Sequence, residues 1–352
     1  MKKYAALVFI LLLVTIVFAD IPLNIDPILT SSFCEYRPNH IHAGIDFSTY
    51  AMAKPILSID DGYLYMLIVN NDDLYGNQVY IYHPKLKLFS EIAHLSKFSD
   101  KFSKLISIAK QDLGKKGGIV IKYDIKNIDD SIPIKKGNVL GYAGNTGTVE
   151  ATHCHFEIHD NTFEYYLNPL SYLSKFLSAS LKESYKPVIK SIRIKSNNAK
   201  ISFIGDDWAY ENEIPADILN GKTLHVKGNF SDIKFDVNAV DYYIRDKRPV
   251  YKLGIYSVKV EAIYNGKDEV VYDEQFDKLK HDEFDKASEI YAEGTKVFGN
   301  LEFWYRTYVV GYKLTPVRVY KKLPDVDSLK IKITIANYFG TEKYVTFYLR
   351  KY

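Results

Sequence analysis

Four side chains able to donate lone pairs alternate along Ala151 to His159, which reads A-T-H-C-H-F-E-I-H. In a β-strand, side chains alternate faces with period two, so His153, His155, Glu157 and His159 point one way. Cys154, Phe156 and Ile158 point the other way, as a packing face should. Two imidazoles two residues apart on one face can share a metal ion or a water. An isolated H-x-H is a weak motif, equally suited to a pair of edge-strand histidines, so its meaning depends on what lies upstream. There, H-A-G-I-D sets His42 and Asp46 four apart. In an extended or looped segment that even spacing leaves both on one side, and Gly44 allows the backbone to bend so that they converge. Imidazole and carboxylate are both ordinary zinc ligands. Seven of the nine histidines lie between His40 and His159. His225 and His281 stand outside that stretch, without a second ligand-type neighbour at metal spacing.

The elements that must position these groups read as strands. Gly62 to Val69 and Gln78 to Tyr82 are rich in Tyr, Val and Ile, and Asn70 to Asn77 between them reads as a hairpin loop. Glu91 to Ser96 puts His94 at a strand end. Phe102, Leu105, Ile106 and Ala109 recur at helical spacing after Ser99, a suitable N-cap. That helix and residues 117–130 form an insertion between two sheet elements. Gly144-Asn145-Thr146-Gly147 is a tight turn feeding the histidine strand, and Asn168 to Leu173 closes the region. Ser174 to Glu183 suggests a short helix, and Pro187 marks a change of character. Beyond it come alternating stretches at Lys190–Lys195 and Ser328–Ile335, a hairpin at Asn265-Gly266, and a turn at Asn337–Gly340. Many short strands with turn signals predict a β-sandwich of immunoglobulin-like kind over 184–352, and this half offers no catalytic constellation.

Composition narrows the function classes. With 352 residues, about two domains are expected. The 30 tyrosines and 19 phenylalanines favour β-structure, and a formal charge of only +3 argues against a nucleic-acid binder. Lys2 and Lys3 precede an apolar run from Ala5 to Ala19, broken only by Thr15, with small residues Val17 and Ala19 at −3 and −1 of a cleavage site. Residues 1–19 therefore read as an export signal. The run is shorter than the roughly 20 residues a membrane-spanning helix needs, so no stable insertion is expected after cleavage. No cysteine follows it to carry a lipid. Cys34 and Cys154 are the sole cysteines, which permits one disulfide without requiring it.

Taken together, the first half resembles the lysostaphin-like (LytM-type) zinc endopeptidases of bacterial cell walls. The matching pieces run in order from H-A-G-I-D at 42–46 through G-N-Q-V-Y-I at 76–81, A-H-L-S at 93–96 and K-K-G-N-V-L-G at 135–141. G-N-T-G at 144–147, H-C-H-F-E-I at 153–158 and N-P-L at 168–170 complete the set. Each piece is weak alone, and the ordered set of seven is specific. The resemblance implies an all-β chain whose residues 20–183 form an antiparallel β-core of the duplicated hybrid motif type. It also implies an exported enzyme acting on peptidoglycan peptides in the periplasm, envelope or medium. His42, Asp46 and His155 would bind one Zn2+, while His153 and His94 would be catalytic and not ligands. The chain departs from the usual pattern at Cys34, where a glycine is usual, at Cys154, where a leucine is usual, and in the length of the stretch after His94.

Three protein ligands leave zinc's fourth position open to water, and the metal lowers that water's pKa towards 7. No H-E-x-x-H helix supplies a glutamate base, so His153 and His94 are expected to orient the water, take its proton and stabilise the oxyanion. Glu157 shares their strand face and is a candidate acceptor fixing a ligand's tautomer. Asn39, His40 and His159 are candidate groove residues. Cys154 faces away from both neighbouring histidines, which disfavours a cysteine-protease reading. Two rivals are a non-catalytic relative that activates another hydrolase and a phosphocarrier domain of sugar uptake. The filled ligand positions argue against the first and the export signal against the second.

Overall fold

A computed structural model describes residues 21–23, 28–69, 74–112, 119–122, 131–149, 151–173, 183–203, 213–297 and 300–352. The expected export signal lies outside them, as does the expected helix at 174–183 apart from Glu183. No helix among the described residues is long and apolar enough to cross a membrane.

The chain is predominantly β. Its first half supplies β1 (Leu29–Ser31), β2 (Ile45–Ser48), β3 (Pro55–Leu57), β4 (Gly62–Val69), β5 (Gln78–His83), β6 (Leu88–Ala93) and β7 (Lys97–Phe98). After helix α1 (Ser103–Asp112) come β8 (Ile119–Lys122), β9 (Pro133–Ile134), β10 (Val139–Tyr142), β11 (His153–Asp160) and β12 (Tyr165–Leu167). The main sheet runs β1-β2-β11-β6-β5-β4-β8, and a small sheet runs β3-β10-β7. The Ser99 side chain accepts a hydrogen bond from the Lys101 N–H ahead of α1. Of the expected insertion at 117–130, only Ile119–Lys122 is described, and as β8 it joins the main sheet by pairing antiparallel with β4.

The histidine strand β11 lies between β2 and β6. Both its faces are buried: Cys154, Phe156 and Ile158 on one, His155, Glu157 and His159 on the other. Full burial of Phe156 and Ile158 contributes roughly 1.5–3 kcal/mol each. Register matters more, because a slip of one residue would turn every side chain to the wrong face. The antiparallel register sets His155 opposite Asp46, His153 opposite Ser48 and Glu157 opposite Glu91. Opposed residues have Cβ atoms about 4.5–5.5 Å apart, so Asp46 and His155 meet without any loop having to aim them.

The second half comprises β13 (Tyr185–Lys195), β14 (Lys200–Phe203), β15 (Glu213–Pro215), β16 (Thr223–Lys227), β17 (Lys234–Arg245), β18 (Arg248–Leu253) and β19 (Ser257–Tyr264). It continues with β20 (Lys267–Gln275), β21 (Lys278–Lys280), β22 (Trp304–Arg306), β23 (Val317–Tyr320), β24 (Ser328–Ala336) and β25 (Glu342–Lys351). Two sheets result, one of five strands around β13 and β17, the other of seven around β19, β24 and β25. The hairpin at Asn265-Gly266 has both turn residues at positive φ, 50° and 71°, as its type requires. Pro187 falls inside β13, opposite Asp241. It is tolerated there because β15 pairs only with Ser191–Arg193, leaving the proline on a stretch without a second neighbour among the described strands.

The apolar core is continuous across the two halves, from Ile45 and Phe156 through Leu170 to Ile255, Phe276 and Tyr291. Polar bonds stitch the same seam. The buried Glu35 carboxylate accepts from the Gly254 N–H at 3.1 Å, and the Tyr291 hydroxyl donates to the Cys34 carbonyl at 2.8 Å. Cys34 and Cys154 are separate buried thiols, both pushed up by burial and therefore not thiolates at neutral pH.

Gly44 lies at the expected bend ahead of β2, and it acts by close approach as well. A Cβ there would lie 2.4 Å from the Phe156 carbonyl oxygen and 2.8 Å from Glu157 Cγ. Gly44→Ala should therefore wedge β2 from β11 and destabilise the fold by roughly 1–3 kcal/mol, the usual cost of overpacking. Equilibrium unfolding in denaturant would show this as a lower midpoint, and an unshifted midpoint would contradict it.

Candidate metal centre

His42, His94, His153 and His155 each have one ring nitrogen tied to an acceptor, which fixes the direction of the other. The His42 Nδ1–H donates to the Ser32 carbonyl at 2.8 Å, and the His155 Nε2–H donates to Glu157 Oε1 at 2.9 Å. The His94 Nδ1–H donates to the Thr146 carbonyl at 2.9 Å, and the His153 Nδ1–H to the Ala151 carbonyl at 2.7 Å. A carbonyl or carboxylate can only accept, so these bonds set the tautomers. His42 Nε2, His155 Nδ1, His94 Nε2 and His153 Nε2 remain free to present lone pairs.

Three of the available atoms converge. Asp46 Oδ1 lies 3.2 Å from His42 Nε2 and 2.9 Å from His155 Nδ1, and those two nitrogens are 3.2 Å apart. Three lone pairs cannot face one another so closely without a positive charge between them. Tetrahedral zinc with bonds of about 2.0–2.1 Å has ligand atoms roughly 3.3 Å apart, so the triangle has the right size. The donor set of two imidazoles and one carboxylate also suits zinc. His94, His153 and His155 form a second, overlapping group whose ligand-type atoms lie within 4.8 Å of one another. His153 Nε2 lies 3.6 Å from Asp46 Oδ1, just outside the first triangle.

Several elements build this geometry. β2 and β11 carry Asp46 and His155 as a cross-strand pair. His42 sits on the loop entering β2, held by backbone bonds from the His42 N–H to the Glu35 carbonyl and from the Cys34 N–H to the His42 carbonyl, both 2.8 Å. His94 follows β6 at φ +59°, a conformation uncommon outside glycine that turns its ring off the strand line. Backbone strain of this kind tends to be held at functional sites. Arg37 completes the surroundings, with Nη1 bonded to Glu35 at 2.9 Å and Nη2 3.5 Å from Asp46 Oδ2.

The electrostatics follow from burial and pairing. Burial opposes charge on Asp46, yet His42, His153 and His155 hold it well below the usual carboxylate range. Burial opposes a charged His155, but hydrogen bonds to Asp46 and Glu157 outweigh it and raise the ring to about 10 in the absence of another cation. His94 is brought down to about 3, mainly by burial and then by His155 and His153, so it is neutral at ordinary pH. Glu157 and Glu91 face each other, both buried. Burial and the neighbouring Glu157 charge push Glu91 up, whereas bonding to His155 overcomes burial and brings Glu157 to about 2. One carboxylate of the pair keeps its charge and the other keeps a proton.

The candidate residues fall in three places. His42, Asp46, His94, His153 and His155 share one centre, and Glu157 stands behind it. His40 is half-buried on the entry loop and stacks against Phe284, while Asn39 is exposed beside it. His159 is buried away from the centre, with Nε2 2.9 Å from Glu91 Oε2 and Nδ1 3.1 Å from His281 Nε2. His281 thus has a ligand-type neighbour after all, supplied by tertiary contact and invisible in spacing. Ser32, Arg37 and Tyr75 were also not singled out from sequence. The Tyr75 ring lies 5.5 Å from that of His155 and 6.1 Å from that of His94.

No family model and no curated protein matches this chain. Among solved structures it is similar to peptidases of the lysostaphin and M23 kind. A zinc-containing peptidase from Vibrio cholerae is 25% identical over 40% of this chain and 36% of that one, at TM-score 0.26. The catalytic domain of the antimicrobial peptidase lysostaphin from Staphylococcus simulans is 20% identical over 42% of this chain and 92% of that domain, at TM-score 0.28. Full-length lysostaphin is 15% identical over 73% of this chain and 96% of that one, at TM-score 0.29. The match thus spans about a third of the Vibrio protein's length. Superpositions this loose leave the chemistry of the centre to be judged from its own geometry.

Glu157→Gln tests that geometry directly. It keeps an acceptor facing His155 Nε2 but removes the charge, and should weaken zinc binding by roughly 10–100-fold, the usual effect of losing such a partner. Competition with a chromophoric chelator would measure it, and unchanged affinity would show that Glu157 does not tune the ligand.

Proposed function

We propose that this chain is an exported zinc metalloendopeptidase that hydrolyses peptide cross-links of peptidoglycan. One observation carries the reading. His42 Nε2, His155 Nδ1 and Asp46 Oδ1 converge within 3.2 Å, each imidazole held in the tautomer that a metal requires. The ordered motifs from His42 to Leu170 support the substrate class, and Lys2 to Ala19 supports export. In this reading residues 20–183 carry the chemistry and 184–352 buttress it.

His42, Asp46 and His155 would hold one Zn2+, which when bound supplies Lewis acidity and an acidified water at its open position. The protein's own groups do the remaining work. His153 is the most exposed of the five, so its Nε2 stands where substrate and water arrive. It accepts the water proton and passes it to the departing amine. His94, neutral and clamped to Thr146, directs its Nε2 lone pair into the same space, where it accepts a hydrogen bond from the attacking water and orients it. Arg37 holds the far oxygen of Asp46, leaving Oδ1 directed at the centre. The rival reading, a non-catalytic activator, finds no missing ligand to favour it.

Digestion of purified cell wall with the mature protein, with and without a chelator, should release new amino termini only when zinc is present. Fragment mapping would then identify the bond cut. His153→Ala should retain one zinc per chain by elemental analysis while kcat falls on the order of 10²-fold or more. Full turnover with zinc retained would remove His153 from the mechanism, and a zinc-free, inactive wild-type protein would remove the whole reading.

A further inference from the structure

The rings beside the centre do not all come from the first half of the chain. After β20, the segment from Phe276 to Phe284 crosses to the other half, and three sets of contacts fix it. Strand β21 pairs antiparallel with β12, Leu279 opposite Tyr166. The Ile41 N–H, one residue before His42, donates to the Phe284 carbonyl at 2.7 Å. The buried Glu283 carboxylate accepts from the Lys280 N–H at 3.2 Å and the Thr315 N–H at 2.9 Å, which pins the turn between them. Backbone bonds therefore hold the strap at both ends, one of them against a candidate ligand's neighbour.

The strap brings Phe284 to the centre's rim. Its ring stacks on His40 at 4.8 Å and 21°, and lies 6.4 Å from Tyr75 and 6.0 Å from Tyr166. With Tyr75 5.5 Å from His155, a file of rings leads outward from the centre: His155, Tyr75, Phe284, His40. The last three are all partly exposed. Three of the strap's polar groups are already committed, His281 to His159, Glu283 to backbone amides and the Phe284 carbonyl to Ile41. Flat ring faces suit planar amides and apolar side chains.

We propose that Phe284, supplied by the C-terminal half, is a specificity-determining residue that walls the substrate cleft and receives the amide planes and apolar side chains of an extended peptide. This rests on the peptidase reading above. It makes the second half part of the active site and not an appendage.

The test uses the full mature chain and cross-linked stem peptides freed of glycan. Phe284→Ala should raise KM about tenfold, the scale of one lost aromatic contact, with kcat within about twofold of wild type. Phe284→Tyr should restore KM, and Phe284→Leu, which keeps apolar bulk without the flat face, should restore it only in part. Equilibrium binding of the same peptides to chelator-treated protein should weaken by a similar factor, a readout independent of turnover. Unchanged KM and unchanged binding in Phe284→Ala would overturn the proposal. So would a rise in kcat/KM, which would make the ring an obstruction. A defect seen only with glycan-bearing fragments would overturn the peptide assignment. A wild-type protein that binds these peptides through Phe284 without cutting them would sink the peptidase reading and leave the wall standing.

Discussion

An imidazole has two nitrogens, and tying one of them to a fixed acceptor decides what the other can do. This constraint organises the centre. Ser32 and Glu157 each accept a hydrogen bond from a candidate ligand's far side, so His42 Nε2 and His155 Nδ1 are the nitrogens turned towards Asp46 Oδ1. The cross-strand register brings the carboxylate to them, and the missing side chain of Gly44 lets the two strands lie close enough. The resulting triangle needs a positive charge, from a metal ion or, without one, from a proton on His155. A centre preorganised this way spends little on reorganising when the ion arrives.

The cost of that arrangement is a buried polar face on β11. Glu157 keeps its charge in the interior only because His155 and His159 lie against it, and Glu91 stays protonated opposite. Buried ionised groups without such partners are expensive. The pairing then passes from one half of the chain to the other, through His159 to His281 and through Tyr166, whose ring stacks on His281 at 3.9 Å. The C-terminal half is thus tied to the polar interior of the first half as well as to its apolar core.

Much of this was legible in the sequence. Period two placed His153, His155, Glu157 and His159 on one face, and turn residues announced the hairpin at 265–266 and the antiparallel pairing of β4 with β5, whose connecting residues 70–73 lie outside the described ones. The even spacing of His42 and Asp46 hinted at their convergence with an incomplete reason, since Gly44 serves close contact with Phe156 as well as a bend. What spacing could not convey was register. Nothing in the sequence says that Asp46 stands opposite His155, or that Glu91 stands opposite Glu157. Loop residues were harder still: Ser32, Arg37 and Tyr75 reach the centre through backbone paths without periodicity. His281 and Phe284 were hidden most completely, because they arrive from more than a hundred residues away, on a short turn that follows a strand only three residues long. Pro187 announced the change of character but not its place inside a strand, where it is allowed because β15 pairs only with Ser191–Arg193.

The pairing of β21 with β12 also bears on how the protein tolerates being cut. A fragment ending near Glu183 would leave the outer edge of β12 bare, with its backbone amides and carbonyls open to any other extended chain. Such edges template pairing with a neighbouring molecule. Nicked or shortened forms should therefore gather into strand-exchanged oligomers instead of persisting as tidy single copies.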